Sequence, residues 1–230
     1  MADEPVFLIT GASSGIGAAT ARHAARAGYR VALAARSEDR LQELAAELGG
    51  EERAIAVRCD VGEWDDQQNL VARTLEAFGR IDVAFANAGF GAPRGFTEST
   101  PEHWKSMVLT NVYGAALTIR ATLEPLRETR GHLLLTGSVA GRRALPGSLY
   151  SATKFAVCAM GESARQQFNG SGVRVTLVNP GMVDTPFFDS KPTSRALDGD
   201  DVARAVMFAV GQPSHVDVNE VLVRPSAQDS

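Results

Sequence analysis

The sequence predicts an α/β fold, namely a doubly wound parallel sheet of about seven strands with helices on both faces. Short apolar segments alternate with longer segments of helical periodicity along the 230 residues. Most of the apolar segments are continuous rather than alternating, as expected for strands that are covered on both faces. No repeat, low-complexity tract or linker interrupts this alternation, so we expect one domain over residues 1–230.

The first four strands and three helices are predicted in the first ninety residues. Val6–Thr10 is short, apolar and bounded by Gly11, which is typical of a buried strand. The following stretch is rich in alanine and is expected to be helical until Gly28, and Ser37 is expected to cap a second helix. The predicted segments, in order, are helix Gly15–Ala27, strand Val31–Ala35, a helix from Ser37 to Leu48, strand Ala54–Cys59, helix Trp64–Phe78 and strand Ile81–Ala86.

The second half continues the same alternation. Thr100 followed by Pro101 predicts the start of a long helix, because threonine caps helices and proline suits the first helical position. That helix is expected to reach about Leu123. The later segments are strand Leu133–Thr136, helix Ser148–Phe168, strand Val173–Val178, helix Asp198–Val210 and strand Val218–Val223.

Composition excludes several classes of function. The formal net charge is −4, which offers no basic surface for nucleic acid or anionic lipid. Cys59 and Cys158 are too few for a disulfide framework or a metal cluster, so no metal is expected. The acidic start Met1-Ala2-Asp3-Glu4 is unlike a signal peptide, and no apolar run is long enough to span a membrane. We therefore expect a cytoplasmic protein with no membrane and no nucleic-acid partner.

A glycine-rich turn connects the first strand to the first helix. It reads Thr10-Gly11-Ala12-Ser13-Ser14-Gly15-Ile16-Gly17. A backbone without Cβ atoms lets a pyrophosphate approach, and the helix N-terminus supplies free N–H groups and a positive dipole end. The alternative is a glycine-rich turn that binds nothing. Its position between strand and helix favours a dinucleotide site of the Rossmann type.

Tyr150 and Lys154 are four residues apart and therefore share one face of the predicted helix. A free phenol has a pKa of about 10, and a neighbouring cation favours the phenolate. The pair can thus make Tyr150 a usable proton donor and acceptor. The alternative is a solvated lysine beside a half-buried tyrosine, so the remaining motifs decide between the two.

Six motifs occur together in one order. They are Thr10–Gly17, Asn87-Ala88-Gly89, Asn111, Ser138, Tyr150 with Lys154, and Asn179-Pro180-Gly181 followed by Val183 and Thr185. Jointly they resemble the single-domain branch of the short-chain dehydrogenases/reductases, over nearly the whole chain. Two departures are visible, since Ala86 stands where the family often has asparagine and Ser138 is one residue nearer to the tyrosine than in many members.

The resemblance implies four catalytic residues. Tyr150 is expected to act as the acid/base, and Ser138 to hold the carbonyl oxygen of a ketone, aldehyde or alcohol substrate. Lys154 is expected to bind the nicotinamide ribose and to lower the pKa of Tyr150, while Asn111 is expected to position a water that links Lys154 to a proton relay. The hydride comes from the cofactor, and the protein supplies position and a proton.

The resemblance also implies a nicotinamide cofactor site. The phosphates are expected at the glycine-rich turn, the adenine near Asp60 and Val61, and the carboxamide near Val183 and Thr185. The full set comprises Gly11, Ser13, Ser14, Gly15, Ile16, Gly17, Arg36, Ser37, Asp60, Val61, Asn87 (on the adenosine side), Ala88, Gly89, Tyr150, Lys154, Pro180, Gly181, Val183 and Thr185.

The end of the second strand favours NADP(H) over the alternative, NAD(H). An NAD-preferring member carries an acid there, and that acid repels a 2′-phosphate. Here Ala35 replaces the acid and Arg36 follows it, so the guanidinium can make charge-assisted bonds to the phosphate with help from Ser37 and Ser13. An arginine on the surface at a helix start is the alternative interpretation.

The substrate itself is not identified by the sequence. Phe90–Phe96, Val139–Leu145, Met182 and a short lid at Pro186–Asp189 are expected to form the pocket, with Phe90, Leu145, Phe187 and Phe188 as an apolar wall open to several bulky carbonyl compounds. Arg94, Arg142 and Arg143 are candidates for an acidic substrate but are more often solvated. His103 and His215 are expected on the surface, and Cys158 is expected to pack rather than react.

Two alternatives to an NADP(H)-linked carbonyl reductase stay open. One is NAD-linked alcohol oxidation, or another reaction on the same scaffold, and the other is a non-catalytic nucleotide-binding regulator. The retained Tyr150 and Lys154 favour an enzyme. Apolar residues on more than one side of the two long helices also predict self-association into a homotetramer, with a homodimer as the alternative.

Overall fold

The computed structural model describes residues 4–185 and 196–228. Strands and helices alternate along these residues, as the sequence predicts. In order they are β1 Val6–Thr10, α1 Gly15–Arg26, β2 Arg30–Ala35, α2 Glu38–Glu47, β3 Ala54–Arg58, α3 Trp64–Phe78, β4 Val83–Ala86, α4 Pro101–Val108, a π-helical segment Leu109–Gly114, α5 Ala115–Thr129, β5 His132–Thr136, a 3₁₀ turn Val139–Gly141, α6 Leu149–Gln167, β6 Arg174–Pro180, α7 Gly199–Val210 and β7 Glu220–Val223.

The seven strands form one sheet in the order β3-β2-β1-β4-β5-β6-β7. Every pair of neighbours is parallel, with Leu8 beside Ala32 on one side and beside Ala84 on the other. The strand order reverses between β1 and β4, because the chain first builds outwards to β3 and then returns to the other side of β1. The predicted doubly wound Rossmann-type sheet is therefore confirmed, and its switch point lies between β1 and β4.

Helices cover both faces of the sheet and bury two separate cores. On one face, α1, α2 and α7 pack side chains such as Leu41 and Val202 against Phe7 and Leu33. On the other face, α3, α5 and α6 pack Leu70, Leu126 and Val157 against Leu8 and its neighbours. This two-sided burial explains the continuous apolar strands. Within the described residues, none of the helices combines the length and apolar character needed to cross a membrane.

The long helix predicted from Thr100 to about Leu123 begins as expected, but its middle and its end differ from the prediction. The Thr100 side chain accepts a hydrogen bond from the N–H of His103 at 3.2 Å, which confirms the predicted cap. The helix then widens into the π-helical segment and continues through Pro125 to Thr129. Sequence periodicity does not detect either feature, because the hydrophobic pattern continues across both.

Candidate active site

The candidate site lies at the carboxyl edge of the sheet, where β1, β4, β5 and β6 end side by side. Thr10 ends β1 and Thr136 ends β5, and Asn87 follows β4 directly. The Thr10 hydroxyl accepts hydrogen bonds from the N–H groups of Asn87 and Ala88 at 3.0 and 3.2 Å. These bonds hold the loop after β4 against the glycine-rich turn, so the motif residues of both strands lie together.

The glycines of the glycine-rich turn let its backbone pack closely against the neighbouring segments. Gly11 has φ +67°, and a Cβ there would lie 2.8 Å from the Cα of Ala88. A Cβ at Gly17 would overlap the carbonyl group of Gly11, so α1 approaches the turn closely. Ser14 stands before the first turn of α1, which contains no acidic residue. Free N–H groups, a positive dipole end and a bare backbone fit a pyrophosphate group.

The Asn87 side chain, expected on the adenosine side of a cofactor, makes its hydrogen bonds within the protein. Its Nδ2 donates to the carbonyl of Thr10 at 3.0 Å, and its Oδ1 accepts from the hydroxyl of Thr136 at 3.0 Å. Asn87 therefore connects the ends of β1, β4 and β5. These bonds hold the loop after β4 in place beside the glycine-rich turn, where a nucleotide is expected to bind.

Arg36 lies directly after β2 at one end of the carboxyl edge and is exposed. It lines a cavity of about 220 Å³ together with Asp60, Gly62, Lys105 and Leu109. Ser37 stands before α2 and makes no capping hydrogen bond with its side chain. Asp60 accepts from the N–H of Gly62 at 3.0 Å and so shapes the loop after β3. The structure brings Arg36 and Asp60, which are expected at the adenosine end, to one cavity.

Ser138 and Tyr150 meet at the other side of the switch point. Ser138 follows β5 and is buried, and its hydroxyl accepts a hydrogen bond from the N–H of Ala140 at 3.1 Å. Part of the Tyr150 side chain remains exposed, but protein atoms surround its phenol. This burial raises the pKa of Tyr150, and a hydrogen bond with Ser138 opposes the rise. The two hydroxyl groups thus lie within hydrogen-bonding distance of each other.

Lys154 lies behind the phenol, one helical turn further along α6. Its Nζ is 5.6 Å from the centre of the Tyr150 ring and donates to the carbonyl of Thr136 at 2.7 Å. Burial lowers the pKa of Lys154 to about 8. The sequence led us to expect that Lys154 lowers the pKa of Tyr150; in the structure the pKa of Tyr150 is raised, and burial is the largest cause.

Asn111 lies in the π-helical segment and its side chain reaches the loop after β4. Its Oδ1 accepts from the N–H of Phe90 at 3.0 Å, while its Nδ2 donates to the carbonyl of Phe90 at 2.9 Å and to the hydroxyl of Thr153 at 3.2 Å. A Cβ on Gly89 would lie 3.1 Å from Asn111 Oδ1 and 3.6 Å from Lys154 Nζ. The structure therefore brings both Asn111 and Lys154 close to Gly89.

The segment after β6 carries the residues expected at the nicotinamide. Thr185 approaches the glycine-rich turn, since a Cβ on Gly15 would lie 3.1 Å from its Cγ2. Val183 is buried and pairs with Leu197. Pro180 ends β6, and the N–H of Gly181 donates to the carbonyl of Val223 at 2.7 Å. The predicted lid, Pro186–Asp189 with Phe187 and Phe188, lies outside the described residues.

The three arginine candidates for an acidic substrate do not form one group. Arg142 forms a two-point ion pair with Glu220 of β7. Arg94 and Arg143 are exposed. His103, expected on the surface, is exposed yet fastens the loop after β4 by a 3.0 Å bond between its Nε2 and the carbonyl of Gly91.

Sequence reasoning missed four contributors to the site. The carbonyl of Thr136 accepts a hydrogen bond from the ammonium of Lys154, and Asn179 Oδ1 accepts one from the N–H of Ser138 at 2.9 Å. Glu220 binds the other end of the Asn179 amide, and Gln228 accepts the N–H of Met182 at 2.9 Å. Only Asn179 belongs to a motif visible in the sequence. The other three act through contacts between distant strands and loops, which no local pattern reveals.

Comparison with known proteins agrees with this arrangement. The model of the family described as short chain dehydrogenase matches residues 5–196 of the chain. The chain belongs to the short-chain dehydrogenases. An uncharacterized oxidoreductase of Staphylococcus saprophyticus is 39% identical over 228 residues, which cover 96% of this chain and 97% of the relative. The resemblance inferred from the motifs is confirmed, and this short-chain dehydrogenase is an oxidoreductase.

Solved structures of short-chain dehydrogenases resemble this one over nearly its whole length. An alcohol dehydrogenase of the archaeon Thermococcus sibiricus, in complex with 5-hydroxy-NADP, has a TM-score of 0.91 and 36% identity and covers 98% of both chains. A 3-ketoacyl-(acyl-carrier-protein) reductase of Brucella melitensis, in complex with NADH, has a TM-score of 0.87 and 30% identity and covers 96% of both chains. These similarities support a nicotinamide cofactor and leave open which of the two forms is preferred.

Proposed function

We propose that this short-chain dehydrogenase is an NADP(H)-dependent oxidoreductase that interconverts a ketone or aldehyde and an alcohol, with Tyr150 as the general acid/base. The observation that carries the proposal is the contact of Tyr150 with Ser138 in front of the buried ammonium of Lys154. The three residues lie beside a glycine turn that fits a pyrophosphate. Hydroxyl donors and a cation beside a dinucleotide site suit proton transfer to a carbonyl oxygen.

In the direction of reduction, Tyr150 donates its proton to the carbonyl oxygen. The raised pKa keeps the phenol protonated near neutral pH, which is the form that a donor needs. Ser138 donates a hydrogen bond to the same oxygen and stabilises the negative charge that develops there. A bound nicotinamide would supply hydride from its reduced form and accept hydride in its oxidised form. In the direction of oxidation, the phenolate of Tyr150 removes the hydroxyl proton of the alcohol.

Lys154 and Asn111 assist the proton transfer. With a pKa of about 8, Lys154 is mostly protonated at pH 7, and its positive charge favours the phenolate that Tyr150 becomes after it donates. Lys154 Nζ and the side chain of Asn111 both lie close to Gly89, so polar groups line this part of the site. We propose that these groups return a proton to Tyr150 through solvent.

The preference for NADP(H) rests on the end of β2. Ala35 is the last residue of that strand, and the exposed Arg36 follows it at the cavity shared with Asp60. Asp60 lies on a different loop and already accepts the N–H of Gly62, so it is not the ribose-binding acid of the β2 end. A guanidinium at that end attracts a 2′-phosphate. NAD(H) is the alternative, since a related reductase was solved with NADH.

The proposal is tested with the purified chain and a panel of ketones, aldehydes and alcohols. Absorbance at 340 nm follows NADPH and NADH separately, and fluorescence titration measures nucleotide affinity. Tyr150→Phe keeps the ring and removes the hydroxyl, so turnover should fall by about 10²–10⁴-fold while NADPH affinity stays the same. Tyr29→Phe is the matched control, because Tyr29 stands before β2 at the opposite edge of the sheet.

Two results would contradict the proposal. If Tyr150→Phe binds NADPH and turns over as fast as the parent enzyme, Tyr150 is not the acid. If the parent chain binds NADPH but oxidises and reduces nothing in the panel, the non-catalytic regulator is favoured. Equal affinity for NADPH and NADH would overturn only the cofactor preference.

A further inference from the structure

A chain of polar contacts connects Ser138 to the edge strand of the sheet. The N–H of Ser138 donates to Asn179 Oδ1 at 2.9 Å, and Asn179 Nδ2 donates to Glu220 Oε1 at 2.8 Å. Arg142 Nε donates to the same Glu220 oxygen at 2.8 Å, and its second nitrogen donates to Oε2. Asn179 is fully buried and Ser138 nearly so. The reacting loop after β5 is therefore attached to β6 and β7 at both Ser138 and Arg142.

The chemistry of these groups fixes which way the Asn179 amide points. A carboxylate only accepts hydrogen bonds, so the NH₂ group of Asn179 must face Glu220 and its oxygen must face Ser138. A reversed amide would set two donors against each other at the buried N–H of Ser138 and two acceptors against each other at Glu220. An unsatisfied buried donor is costly, so the reversed state is excluded while Glu220 is ionised.

The Asn179 oxygen also fits closely among its neighbours. A Cβ at Gly137 would overlap it, and the thiol of Cys158 donates to it from 3.7 Å. The amide therefore touches the residue before Ser138 and the helix that carries Tyr150 and Lys154. A change in its orientation displaces Ser138 relative to the phenol, and small displacements of reacting groups reduce rates strongly.

We infer that Glu220 is a positioning residue for Ser138: its carboxylate orients the Asn179 amide, and that amide places the serine for the reaction. The inference rests on the proposed function, because it assigns Ser138 a role at the substrate oxygen. Arg142 neutralises the carboxylate and attaches the loop, but it does not orient the amide.

Glu220→Gln is the most direct test, since the new side chain has the same shape and can both donate and accept. The side chain at position 220 then no longer imposes an orientation on Asn179, which is left to the N–H of Ser138, so kcat should fall by about 10- to 100-fold, while the Kd for NADPH stays within about twofold. The N–H of Ser138 should exchange with deuterium faster. Glu47→Gln is the matched control, because Glu47 forms a similar two-point pair with Arg22 far from the site.

An exchange of the two charges separates orientation from simple attachment. Arg142→Glu combined with Glu220→Arg restores an ion pair between loop and strand, but it places a donor beside Asn179. The amide should then turn its oxygen away from Ser138, so thermal stability returns while kcat stays low. Arg142→Met alone should keep kcat within about threefold of the parent, because Glu220 still holds the amide.

The outcomes separate the inference from the proposed function. If the parent chain is inactive, the proposed function fails, and the exchange rate at Ser138 in Glu220→Gln still tests the orientation. Unchanged kcat in Glu220→Gln overturns the inference, whether or not exchange is faster. Recovery of kcat in the charge exchange also overturns it, since the pair then only attaches the loop. Should Glu220→Gln fail to fold, the charge exchange and Arg142→Met decide the question.

Discussion

At Lys154 the protein keeps an ammonium in a place that disfavours its charge. The residue is 4% exposed, its pKa is lowered to about 8 by burial, and its Nζ donates a hydrogen bond to the carbonyl of Thr136. A cation held so close to a phenol costs folding free energy but favours the phenolate. The residue is thus better explained by proton transfer at Tyr150 than by stability.

Lys154→Met removes that charge and keeps an apolar stem. Deleting a neighbouring cation disfavours the phenolate, so the pKa of Tyr150 should rise further. The rate of alcohol oxidation, which needs the phenolate, should therefore increase only at higher pH than in the parent enzyme. Profiles of kcat against pH for both proteins measure the shift. NADPH affinity should also fall, and an unchanged pH profile would show that Lys154 does not act on Tyr150.

Arg36→Asp should reverse the cofactor preference. The parent enzyme should bind NADPH at least about tenfold more tightly than NADH, a difference of roughly 1.4 kcal/mol. An aspartate at this position repels a 2′-phosphate and can bind both ribose hydroxyls, so NADH should become the tighter ligand. Titration of both nucleotides against both proteins checks this. Arg40→Asp, an exposed charge reversal on α2, is the control and should leave the preference for NADPH in place.

Among the elements, the π-helical segment is the one whose geometry hydrophobic periodicity does not predict. The sequence predicts the helix from Thr100 and its cap, because these depend on neighbouring residues. The widening at Leu109–Gly114 is accompanied by the bonds of Asn111 to Phe90, a residue 21 positions away. Such long-range bonds are invisible to a local pattern, and π-helical turns occur often at functional sites.

His132 connects β5 to β6 and, through Thr176, to the segment before β7 at the opposite edge of the sheet. Its Nε2 lies 2.7 Å from the hydroxyl of Thr176, which in turn donates to the carbonyl of Val218 at 2.6 Å. Because Thr176 uses its own hydrogen for Val218, the imidazole must donate from Nε2. Its buried Nδ1 has no hydrogen-bond partner among the described residues. A proton there would be charged and unsolvated, so burial lowers the pKa of His132 to about 3.

His132 should therefore make the fold sensitive to acid. The unfolded histidine binds its proton near pH 6.5 and the folded one near pH 3, so the unfolded state holds more protons between these values. Stability is fully present above pH 6.5 and is lost as the pH falls through this window, by on the order of 5 kcal/mol. His132→Gln keeps a donor for Thr176 without the titration. Urea unfolding between pH 7 and pH 4 should show a flatter pH dependence for this variant than for the parent or for the exposed His215→Gln.

For the molecule as a whole, the sequence predicts the fold more completely than it predicts the site. The order of strands and helices and the glycine turn follow from local composition, so the bounds agree within two residues except for the long helix, which ends at Thr129 and not at about Leu123. The motif residues Ser138, Tyr150, Lys154 and Asn111 come together as expected. Burial raises the pKa of Tyr150, and the sequence does not predict this effect because burial depends on packing. Glu220 carried no recognisable motif, since its role arises from the pairing of β6 with β7.

Apart from Phe96, which is 70% exposed in the loop before α4, the exposed large apolar side chains of the described residues fall into two groups by the elements that carry them. Val108, Leu109 and Tyr113 stand on α4 and the π-helical segment, with exposures of 38, 41 and 48%, and Phe155 of α6 is 44% exposed. Phe208 of α7 and Leu222 of the edge strand β7 are 59 and 46% exposed. Other apolar residues of the two predicted long helices, among them Met107, Leu117, Val157 and Phe168, are buried within the chain. The long helices thus expose fewer apolar residues than the sequence predicts.

We propose that each group packs against its own copy across a two-fold axis, because a patch that meets itself gives a closed pair. Two such axes on one chain generate a tetramer, so light scattering should give about four times the 24.4 kDa of the chain at micromolar concentration. Phe155→Glu should break one contact and leave dimers. Phe208→Glu combined with Leu222→Glu should break the other and also leave dimers, while all three changes together should give monomers. Gln68→Glu, on the exposed side of α3, should change nothing. A parent protein that stays monomeric would exclude both contacts, and a dimer unaffected by one of the two variants would show which group is free in solution.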